Sequence, residues 1–475
     1  MRRNAIEATE LSSKPNTTMS EQPDLERLTD PASLAHYGCD WTRFWTPDPD
    51  SVVFPRSTRD VVDLVRWARA EQRALVPSGG RTGLSGGAVA PGGEVVVSFE
   101  KMRAIRELDD VEPSITVDAG VPIGEIQRQA EARGLYYPVD WSAADSSQAG
   151  GSVATNAGGI RVLRYGMTRD WVRGLTVVTG SGEVLELNRG LVKNNAGLDL
   201  RHLMVGSEGT LGLITGVTFG LTDAPPQRSV LLLAFSGLDA VMPAFRALRS
   251  ALALSAFEFF DAASAEHVAR AGNLSFPLET EAPFYAVVEF DDPDASHQDA
   301  ALAVFEQLAE DGQVVDGLIS QSQTQAEELW HWREAISESI AEHTPYKNDL
   351  SVRISAVPEF LLALDELVRA RYPQFSVVWF GHIGDGNLHM NVLRPPDWSV
   401  DDFRAACERL SPEVFGLVGE HGGSLSAEHG VGLLKRDYLH LIKPTAEIDL
   451  MRSMKRAFDP DGILNPGKLL SDRRA

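Results

Sequence analysis

The chain has 475 residues, a length at which two or three domains are expected rather than a single core. Its 44 basic and 67 acidic residues give a net charge of −23, which argues against nucleic acids and anionic lipids as partners because both require basic surfaces. With only Cys39 and Cys407, the chain has no disulfide framework and too few thiolates for an iron–sulfur cluster.

The N-terminal segment 1–47 has no apolar core, and its first 31 residues include several acidic ones. This composition fits neither a secretory signal nor an organellar transit peptide, so we expect a disordered leader, with Met19 as an alternative start. No apolar run approaches the ~18 residues that span a bilayer. The sequence therefore predicts no transmembrane segment and a cytoplasmic location.

Strand-like and helix-like patterns alternate between residues 52 and 221. Short apolar runs bounded by Gly, Pro or polar residues indicate strands, and apolar residues at spacings of three and four indicate helices. The predicted elements are strands at 52–55, 74–77 and 115–118, helices at 61–68 and 122–133, and a hairpin of 175–178 with 184–187. These elements form a predicted α+β domain over residues 48–226.

A second α+β unit is predicted after the Pro225-Pro226 pair, which reads as a domain boundary. It covers residues 227–425, and a last segment, 426–475, contains a helix from residue 446. The predicted elements are strands at 229–235, 284–290 and 350–354 and helices at 238–252, 295–310, 323–341 and 402–420.

Three glycine clusters lie in the first predicted domain, at 77–87, 150–159 and 206–212. Glycine adopts left-handed dihedrals cheaply and exposes successive backbone N–H groups, which suits binding of a pyrophosphate. The first cluster matches neither a Walker A loop nor a Rossmann fingerprint, and by itself it could be a plain flexible loop. Three clusters in one domain predict a nucleotide-type cofactor site instead.

Two histidines, His382 and His389, flank a Gly-Asp-Gly-Asn turn, and Glu428 and His429 follow on a separate segment. If the turn folds the chain back, the histidines face each other across a hairpin. Glu428 would complete three protein ligands and leave an open position, as in catalytic zinc sites, with His429 as a proton acceptor. Asp385 lies between glycines and suits the turn better than a fourth ligand. The competing interpretation is a pair of packed histidines.

Arg333 lies on the predicted helix 323–341 without an acidic residue three or four positions away. An ordinary helical salt bridge is therefore disfavoured, although a partner from another segment stays open. Ser337 and Lys347, taken from the sequence alone, would be a surface hydroxyl and a solvated ammonium.

The glycine clusters resemble the FAD-binding domain of the vanillyl-alcohol oxidase type. The segments 382–389 and 428–432 resemble its D-2-hydroxy-acid dehydrogenase branch, and 458–460 and 465–468 fit the same family. Within that branch, 161–166 and the Asn391 that ends the metal motif are most similar to D-2-hydroxyglutarate dehydrogenases. The resemblance covers roughly residues 52–469.

The resemblance implies an α+β fold with two FAD-contacting α+β subdomains, an antiparallel-sheet cap domain and a C-terminal helical segment that returns to the flavin. It implies non-covalent FAD, because Arg81 and Thr82 stand where some relatives attach the flavin covalently. The implied FAD-binding residues are Pro77, Ser78, Gly79, Gly80, Arg81, Thr82, Gly83, Gly87, Gly150, Gly151, Ala154, Thr155, Asn156, Gly159, Tyr165, Gly166, Glu208, Gly212, Ile214 and Asn465.

The resemblance also implies oxidation of D-2-hydroxyglutarate to 2-oxoglutarate by hydride transfer to flavin N5, with zinc on the histidine–glutamate set and His429 as base. Arg333, Ser337 and Lys347 would bind the far carboxylate, and Asn391 would help to hold the acid group. The family usually has threonine at the Ser337 position, and the spacing from Ser337 to Lys347 in this chain is one residue shorter than in the family.

The reduced flavin needs an external electron acceptor, since the chain has neither a cysteine cluster nor a nicotinamide fingerprint. An electron-transfer flavoprotein, a quinone or a cytochrome would serve, and the resemblance allows a homodimer. The alternatives are a D-lactate or glycolate dehydrogenase acting as a flavin subunit, a metal-free relative, and a non-catalytic FAD-binding subunit.

Overall fold

The computed structural model describes residues 22–42 and 44–471. The expected leader up to residue 21, including Met19, lies outside the described residues. We expected disorder as far as Pro31, but Glu26–Leu28 forms a strand that pairs with the strand Ser51–Phe54. Part of the segment for which the composition predicts disorder is therefore a paired strand.

The described residues form eighteen strands and fifteen α-helices. The strands are β1 (Glu26–Leu28), β2 (Ser51–Phe54), β3 (Leu75–Ser78), β4 (Val95–Ser98), β5 (Ile105–Asp109), β6 (Ser114–Asp118), β7 (Leu135–Tyr136), β8 (Val172–Thr179), β9 (Val184–Leu187), β10 (Gly212–Gly220), β11 (Thr222–Asp223), β12 (Arg228–Phe235), β13 (Leu254–Asp261), β14 (Phe284–Asp291), β15 (Val314–Ile319), β16 (Tyr346–Ser351), β17 (Ser376–Gly381) and β18 (Asn387–Leu393). The helices are α1 (Pro31–Tyr37), α2 (Thr58–Ala70), α3 (Ile123–Glu131), α4 (Ala149–Thr155), α5 (Val162–Tyr165), α6 (Thr168–Trp171), α7 (Arg201–Met204), α8 (Leu238–Ala251), α9 (Ala262–Gly272), α10 (Ala295–Glu310), α11 (Gln323–Glu334), α12 (Ile336–Ser339), α13 (Val357–Arg371), α14 (Val400–Glu420) and α15 (Thr445–Phe458).

Two sheets build the N-terminal part of the molecule. The first has the strand order β1-β2-β4-β3, with β2, β4 and β3 parallel, and the second is antiparallel in the order β5-β6-β10-β8-β9. Ser57 caps α2 as its position in the sequence indicates, because its hydroxyl accepts the N–H of Asp60. The buried faces of α2, α3 and α4 share one apolar core with both sheets. The two predicted α+β subdomains are thus confirmed.

A seven-stranded antiparallel sheet forms the cap, in the order β15-β12-β14-β13-β17-β18-β16. Apolar residues of α8, α10, α13 and α14 cover one face, and those of α9, α11 and α12 cover the other. Strand alternation divides β13 between these layers, with Phe257 and Phe259 in the first and Phe260 in the second. We call the second layer's side of the sheet the site face, because the residues discussed below lie there.

Two predicted elements of the cap differ from the structure. The helix expected over 323–341 breaks at Ala335, whose ψ of −8° departs from the helical range, so that α11 and α12 are separate. No glycine or proline marks this break in the sequence. The strand expected at 350–354 lies earlier, at β16, since its polar residues Lys347, Asn348 and Asp349 concealed the pairing with β18.

Candidate active site

A cavity of about 320 Å³ lies at the junction of the two N-terminal sheets with the segment that carries Glu428 and His429. Glycine-cluster residues contribute much of its wall. The predicted cofactor residues that line it are Pro77, Gly79, Gly80, Arg81, Thr82, Gly83, Gly87, Gly150, Gly151, Ala154, Thr155, Glu208, Gly212 and Ile214. The structure therefore brings the three glycine clusters together around one space.

The glycines of this cavity are required for two different reasons. A Cβ on Gly80 would lie 2.0 Å from the carbonyl oxygen of Ser146, so the first cluster packs directly on a neighbouring loop. A Cβ on Gly151 would meet no protein atom within 4 Å, although Gly151 lines the cavity. Backbone thus faces open space that a bound group can fill at close range, which fits a nucleotide cofactor such as FAD.

Six predicted cofactor residues do not line the cavity: Ser78, Asn156, Gly159, Tyr165, Gly166 and Asn465. Several of them stabilise the surrounding framework. Asn156 ends α4 in a left-handed conformation, and its side chain accepts the N–H of Arg169. The Asn465 amide donates to the carbonyl oxygens of Gly87 and Glu208, and so joins the C-terminal segment to two of the clusters.

The sequence interpretation missed one wall of the cavity. This wall is formed mainly by the residues that precede α4: Trp141, Ser142, Ala143, Ser147 and Gln148. The Trp141 indole donates to the Ser147 hydroxyl across this loop. A run of small polar residues directly before a glycine cluster is the signal that could have identified it.

The metal-type hairpin forms as the sequence predicts. Strands β17 and β18 pair antiparallel, and the rings of His382 and His389 lie 5.3 Å apart between centroids. One ligand atom from each of these histidines and from Glu428 fits within 4.8 Å of the others, with His382 Nε2 3.8 Å from Glu428 Oε1. Ligands 2.0–2.1 Å from a tetrahedral zinc lie about 3.4 Å from one another, so the set fits a divalent ion. Asp385 accepts the N–H of Asn387 within the turn.

A second group, Asp349 with His389 and His429, also has the composition of a metal site. Asp349 is fully buried, and its Oδ2 accepts the backbone N–H groups of Glu428 and His429, each at 2.9 Å. Its Oδ1 accepts the Asn387 amide at 2.9 Å. These donors hold Asp349 between separate segments, where it can orient the residues around it. The Nδ1 atoms of His389 and His429 lie 3.9 and 3.8 Å from it.

Burial and neighbouring charge act differently on the ionisable groups of this cluster. Burial opposes the protonation of His382, but the carboxylates of Glu258 and Glu428 raise its pKa to about 9. For His429 burial prevails and lowers the pKa, which favours a neutral ring. Burial also raises the pKa of Asp385, to about 7. Asp349 keeps a lowered pKa despite its burial, because His429, Lys435 and His389 surround it.

Arg333 is buried on α11 and has the partner from another segment that the sequence left open. Its Nη2 lies 2.9 Å from Glu258 Oε2, and its guanidinium carbon lies 4.8 Å from the ring centre of Phe380. Within the described residues, Arg333 Nε has no hydrogen-bond partner. Glu258 was not among the predicted site residues, although a glutamate within an apolar strand is itself a sign of a buried, paired carboxylate.

The other predicted acid-binding residues differ in their burial. Ser337 is exposed on α12. Lys347 is exposed on β16 and lies directly opposite Asn391 of β18 in the sheet register. Asn391 is buried, and its amide donates to the carbonyl oxygens of His389 and Val378.

The register of the cap sheet brings these side chains into one row. Asp349 pairs with His389, His389 with Phe380, and Phe380 with Phe260, across four successive strands. Side chains on paired positions lie on the same side of a sheet, so the row forms the site face beneath α11.

Comparisons with known proteins identify the family of the chain and its fold. Residues 224–469 match the family model described as "FAD linked oxidases, C-terminal domain", and residues 49–188 match "FAD binding domain". The chain is 52% identical over 453 residues to a D-2-hydroxyglutarate dehydrogenase of Xanthomonas citri pv. viticola, covering 95% of the chain and 96% of the relative. It is 49% identical over 444 residues to the same-named protein of Stutzerimonas stutzeri, covering 94% and 96%. Among solved structures, p-cresol methylhydroxylase with substrate bound superposes with a TM-score of 0.72 at 15% identity, over 94% of this chain and 95% of that one, which shows a common fold.

Proposed function

The chain belongs to the FAD-linked oxidases, and we propose that this FAD-dependent oxidoreductase converts D-2-hydroxyglutarate to 2-oxoglutarate with the help of a divalent metal. One observation carries the proposal. Glu428 and His429 are adjacent in sequence and line the same cavity as the three glycine clusters, while Glu428 also belongs to the histidine metal set. This proximity supports a site in which the cofactor, the metal and the base act together.

The cofactor-binding residues are those that line the cavity, together with the backbone of the glycine clusters. FAD, when bound there, accepts the hydride that leaves the carbon bearing the hydroxyl. Arg81 and Thr82 line the cavity where a covalent attachment residue would be needed, which supports non-covalent binding. The glycine backbone would hold the pyrophosphate. Trp141 lines one side of the cavity.

His382, His389 and Glu428 would hold the metal, and zinc would suit this set of two imidazoles and a carboxylate. A divalent ion at this position supplies positive charge that lowers the pKa of the substrate hydroxyl. The protein contributes the geometry of the hairpin and the carboxylates that face the Nδ1 atoms.

His429 accepts the proton of the substrate hydroxyl as general base. Asp349 faces its Nδ1, so the tautomer with hydrogen on Nδ1 is favoured and Nε2 is left as the acceptor. Arg333 and Lys347 bind the far carboxylate, with Ser337 assisting, and Asn391 helps to hold the acid group near the metal. Cations that recognise a dianionic substrate locally are needed because the protein as a whole is strongly acidic.

A second candidate, a D-lactate or glycolate dehydrogenase, is favoured by one observation. The charge of Arg333 is already balanced by Glu258, so a substrate with a single carboxylate would leave no unbalanced charge there.

Anaerobic bleaching of the flavin near 450 nm (approximate absorption maximum, used only to choose the wavelength) tests the proposal and separates the two candidates. D-2-hydroxyglutarate, D-malate, D-lactate and glycolate are added separately to the purified protein, before and after treatment with EDTA. We expect fast bleaching by D-2-hydroxyglutarate, its loss after EDTA and its recovery with zinc or manganese. Equal bleaching by D-lactate would favour the second candidate, and no bleaching by any acid would contradict both.

Further parts of the proposal concern the surroundings of the enzyme. We propose an external electron acceptor, namely an electron-transfer flavoprotein, a quinone or a cytochrome, and a homodimeric state. The cytoplasm is the proposed location, and among the described residues no helix has the length and apolarity needed to cross a membrane. The proposed domains are 48–226 for FAD binding, 227–425 for the cap with the metal hairpin, and 426–475 for the C-terminal segment.

A further inference from the structure

Glu258 is a buried carboxylate that takes no direct part in the proposed proton or hydride transfer. It lies on β13 between Phe257 and Phe259, and its relative exposure is 1%. A carboxylate is costly to bury unless it is paired and hydrogen-bonded. Its contacts should therefore explain why the strand retains it.

The two oxygens of Glu258 contact different parts of the site. Oε1 is hydrogen-bonded to Nδ1 of His382 at 2.8 Å. Oε2 lies 2.9 Å from Nη2 of Arg333 as an ion pair, and among the described residues it has no hydrogen-bond partner. The opposite nitrogen of His382, Nε2, faces Glu428. A carboxylate on the outer nitrogen of a ligating histidine fixes the tautomer and the ring orientation, and raises the basicity of the ligand.

A second residue, Phe380, holds the same guanidinium from the neighbouring strand. Its ring centre lies 4.8 Å from the Arg333 guanidinium carbon and 5.1 Å from the His389 ring centre. Phe380 pairs directly with Phe260, two residues after Glu258 on β13. Arg333 is thus linked to His382 through Glu258 and to His389 through Phe380, and these two linking residues lie on paired strands of one sheet.

We propose that Glu258 is a positioning residue that sets the distance between the metal ligand His382 and the guanidinium of Arg333. This fixed distance between the metal ligand and the guanidinium selects 2-hydroxy acids in which the two carboxylates are separated by a matching number of carbon atoms. This inference rests on the proposed function, because it assumes that the metal holds one end of the substrate and Arg333 the other. It assigns to one side chain both the orientation of a metal ligand and the selection of substrate length.

Glu258→Gln is the informative substitution because it keeps the volume and cannot keep both contacts. If the amide oxygen of the glutamine accepts from His382, its N–H groups face the N–H groups of Arg333, so that donors face donors. In the reverse orientation, the amide N–H groups face the Nδ1–H of His382, which is again a donor. Glu258→Asp is a second variant. It keeps the charge in the buried site but is one methylene too short to reach both partners.

Glu289→Gln is the matched control. Glu289 is a buried carboxylate on the adjacent strand β14, and it pairs with Arg161 at 2.8 and 2.9 Å. It also accepts the indole N–H of Trp330 on α11, the helix that carries Arg333. The control therefore removes a buried ion pair of the same sheet and changes a hydrogen bond to α11, with no contact to a metal ligand.

The experiment measures two quantities on the FAD-loaded proteins, with flavin absorbance and thermal midpoint as checks of folding. The first is zinc affinity by competition with a chromophoric chelator. We expect it to weaken about 10–100-fold in Glu258→Gln and to be unchanged in Glu289→Gln. The second is the ratio of kcat/KM for D-2-hydroxyglutarate to that for D-malate, which is one methylene shorter. We expect this ratio to fall at least about tenfold in both Glu258 variants, which is the scale of discrimination between substrates that differ by one methylene.

The outcomes separate the parts of the inference. Unchanged zinc affinity and an unchanged ratio in folded Glu258 variants would overturn it, as would equal losses in the Glu289 control. Weaker zinc binding with an unchanged ratio would overturn the selection of substrate length and leave Glu258 as a support of His382 only. Zinc affinity is measured without substrate, so it still decides the role toward His382 if the wild type oxidises none of the acids and the proposed function fails.

Discussion

Two buried carboxylates organise the chemical groups of the site, and each does so by using both of its oxygens. Asp349 receives N–H groups from the 428–429 peptide and from Asn387, and Glu258 joins His382 to Arg333. An ionised carboxylate accepts several hydrogen bonds and donates none, so it can gather donors from separate segments at one point. The placement of catalytic groups within the cavity therefore depends on residues that lie behind them.

The substitution Asp349→Asn tests this dependence at the proposed base. The amide retains one acceptor oxygen and places N–H groups where Asp349 now accepts the backbone of Glu428 and His429. We expect kcat to fall at least about 100-fold, the scale of a misplaced general base, with FAD content unchanged. Steady-state kinetics and the flavin absorbance of the purified variant provide the measurement.

Asp292→Asn is the control for this change, since Asp292 is also buried in the cap and accepts from Ser229 and Gln298. It should leave kcat within about twofold of the wild type. A similar loss of kcat in both variants would mean that Asp349 acts on overall stability and not on His429.

At the level of elements, the sequence predicts those with a clear apolar period and misses those whose polar residues serve the site. Helices α2, α8, α10 and α14 fall close to their predicted positions because each has one apolar face on a core. The start of β16 was hidden because Lys347 and Asp349 occupy positions that face the site. The glycine clusters were found, whereas the loop beside Trp141 was not, since no periodic pattern marks it.

A substitution in the short helix α4 is predicted to weaken FAD binding without destabilising the fold. A Cβ at Gly151 contacts no protein atom within 4 Å, and alanine has the higher helix propensity. We therefore expect Gly151→Ala to fold with an unchanged or higher thermal midpoint in the absence of FAD. Because the new methyl group projects where the cavity lies, FAD affinity should fall at least about tenfold, measured by fluorescence titration of the apoprotein.

Gly416→Ala is the matched control, because a Cβ at this position on α14 also meets no atom within 4 Å and Gly416 does not line the cavity. Its FAD affinity should equal that of the wild type. Unchanged FAD affinity in Gly151→Ala would show that the cofactor does not approach this part of the second cluster.

The junction of β13 with α9 gives a prediction about pH. Asp261 caps α9 by accepting from Ser264 and also accepts the N–H of Trp379, and burial raises its pKa to about 6. A raised carboxyl pKa means that the folded state favours the protonated form of Asp261. The contribution of this group to the free energy of unfolding is therefore complete below the unfolded pKa of about 4. It is lost as the pH rises through 6. The loss corresponds to about 3 kcal/mol.

Asp261→Asn removes this titration, so the stability of the variant relative to the wild type should improve between pH 4 and pH 7. Urea unfolding followed by tryptophan fluorescence at both pH values measures the difference. The exposed Asp63→Asn change on α2 should show no comparable trend, since Asp63 makes only a surface ion pair. A constant difference for Asp261→Asn would contradict the prediction.

At the level of the whole molecule, the site exists only where three parts of the chain meet. The glycine clusters come from the N-terminal sheets, the histidines from the cap and Glu428 with His429 from the C-terminal segment. The composition of each part is visible in the sequence, but their meeting depends on buried contacts between residues more than 200 positions apart. Sequence patterns report local period and chemistry, and so the contacts that close the site could not be predicted from them.

Glu208 makes the most direct of these contacts. It lies in the third glycine cluster, and its two oxygens accept the N–H groups of Val431 and Gly432, each at 2.7 Å. A Cβ on Gly430 would lie 3.1 Å from Glu208 Oε1, so the turn after His429 rests directly on this side chain. The position of the proposed base relative to the flavin cavity thus depends on a residue of the FAD-binding part.

Glu208→Gln should release this turn, because an amide can accept only one of the two N–H groups and opposes the other with a donor. We expect faster hydrogen exchange in peptides covering 428–432, and a fall in kcat of about 100-fold, the effect of a displacement near 1 Å. Glu94→Gln is the control, since Glu94 is another buried carboxylate and accepts a backbone N–H within its own loop, at Gly92. Its exchange in 428–432 and its kcat should match the wild type. If Glu208→Gln lost kcat without faster exchange in 428–432, the carboxylate would act on the flavin directly and not by holding the C-terminal segment in place.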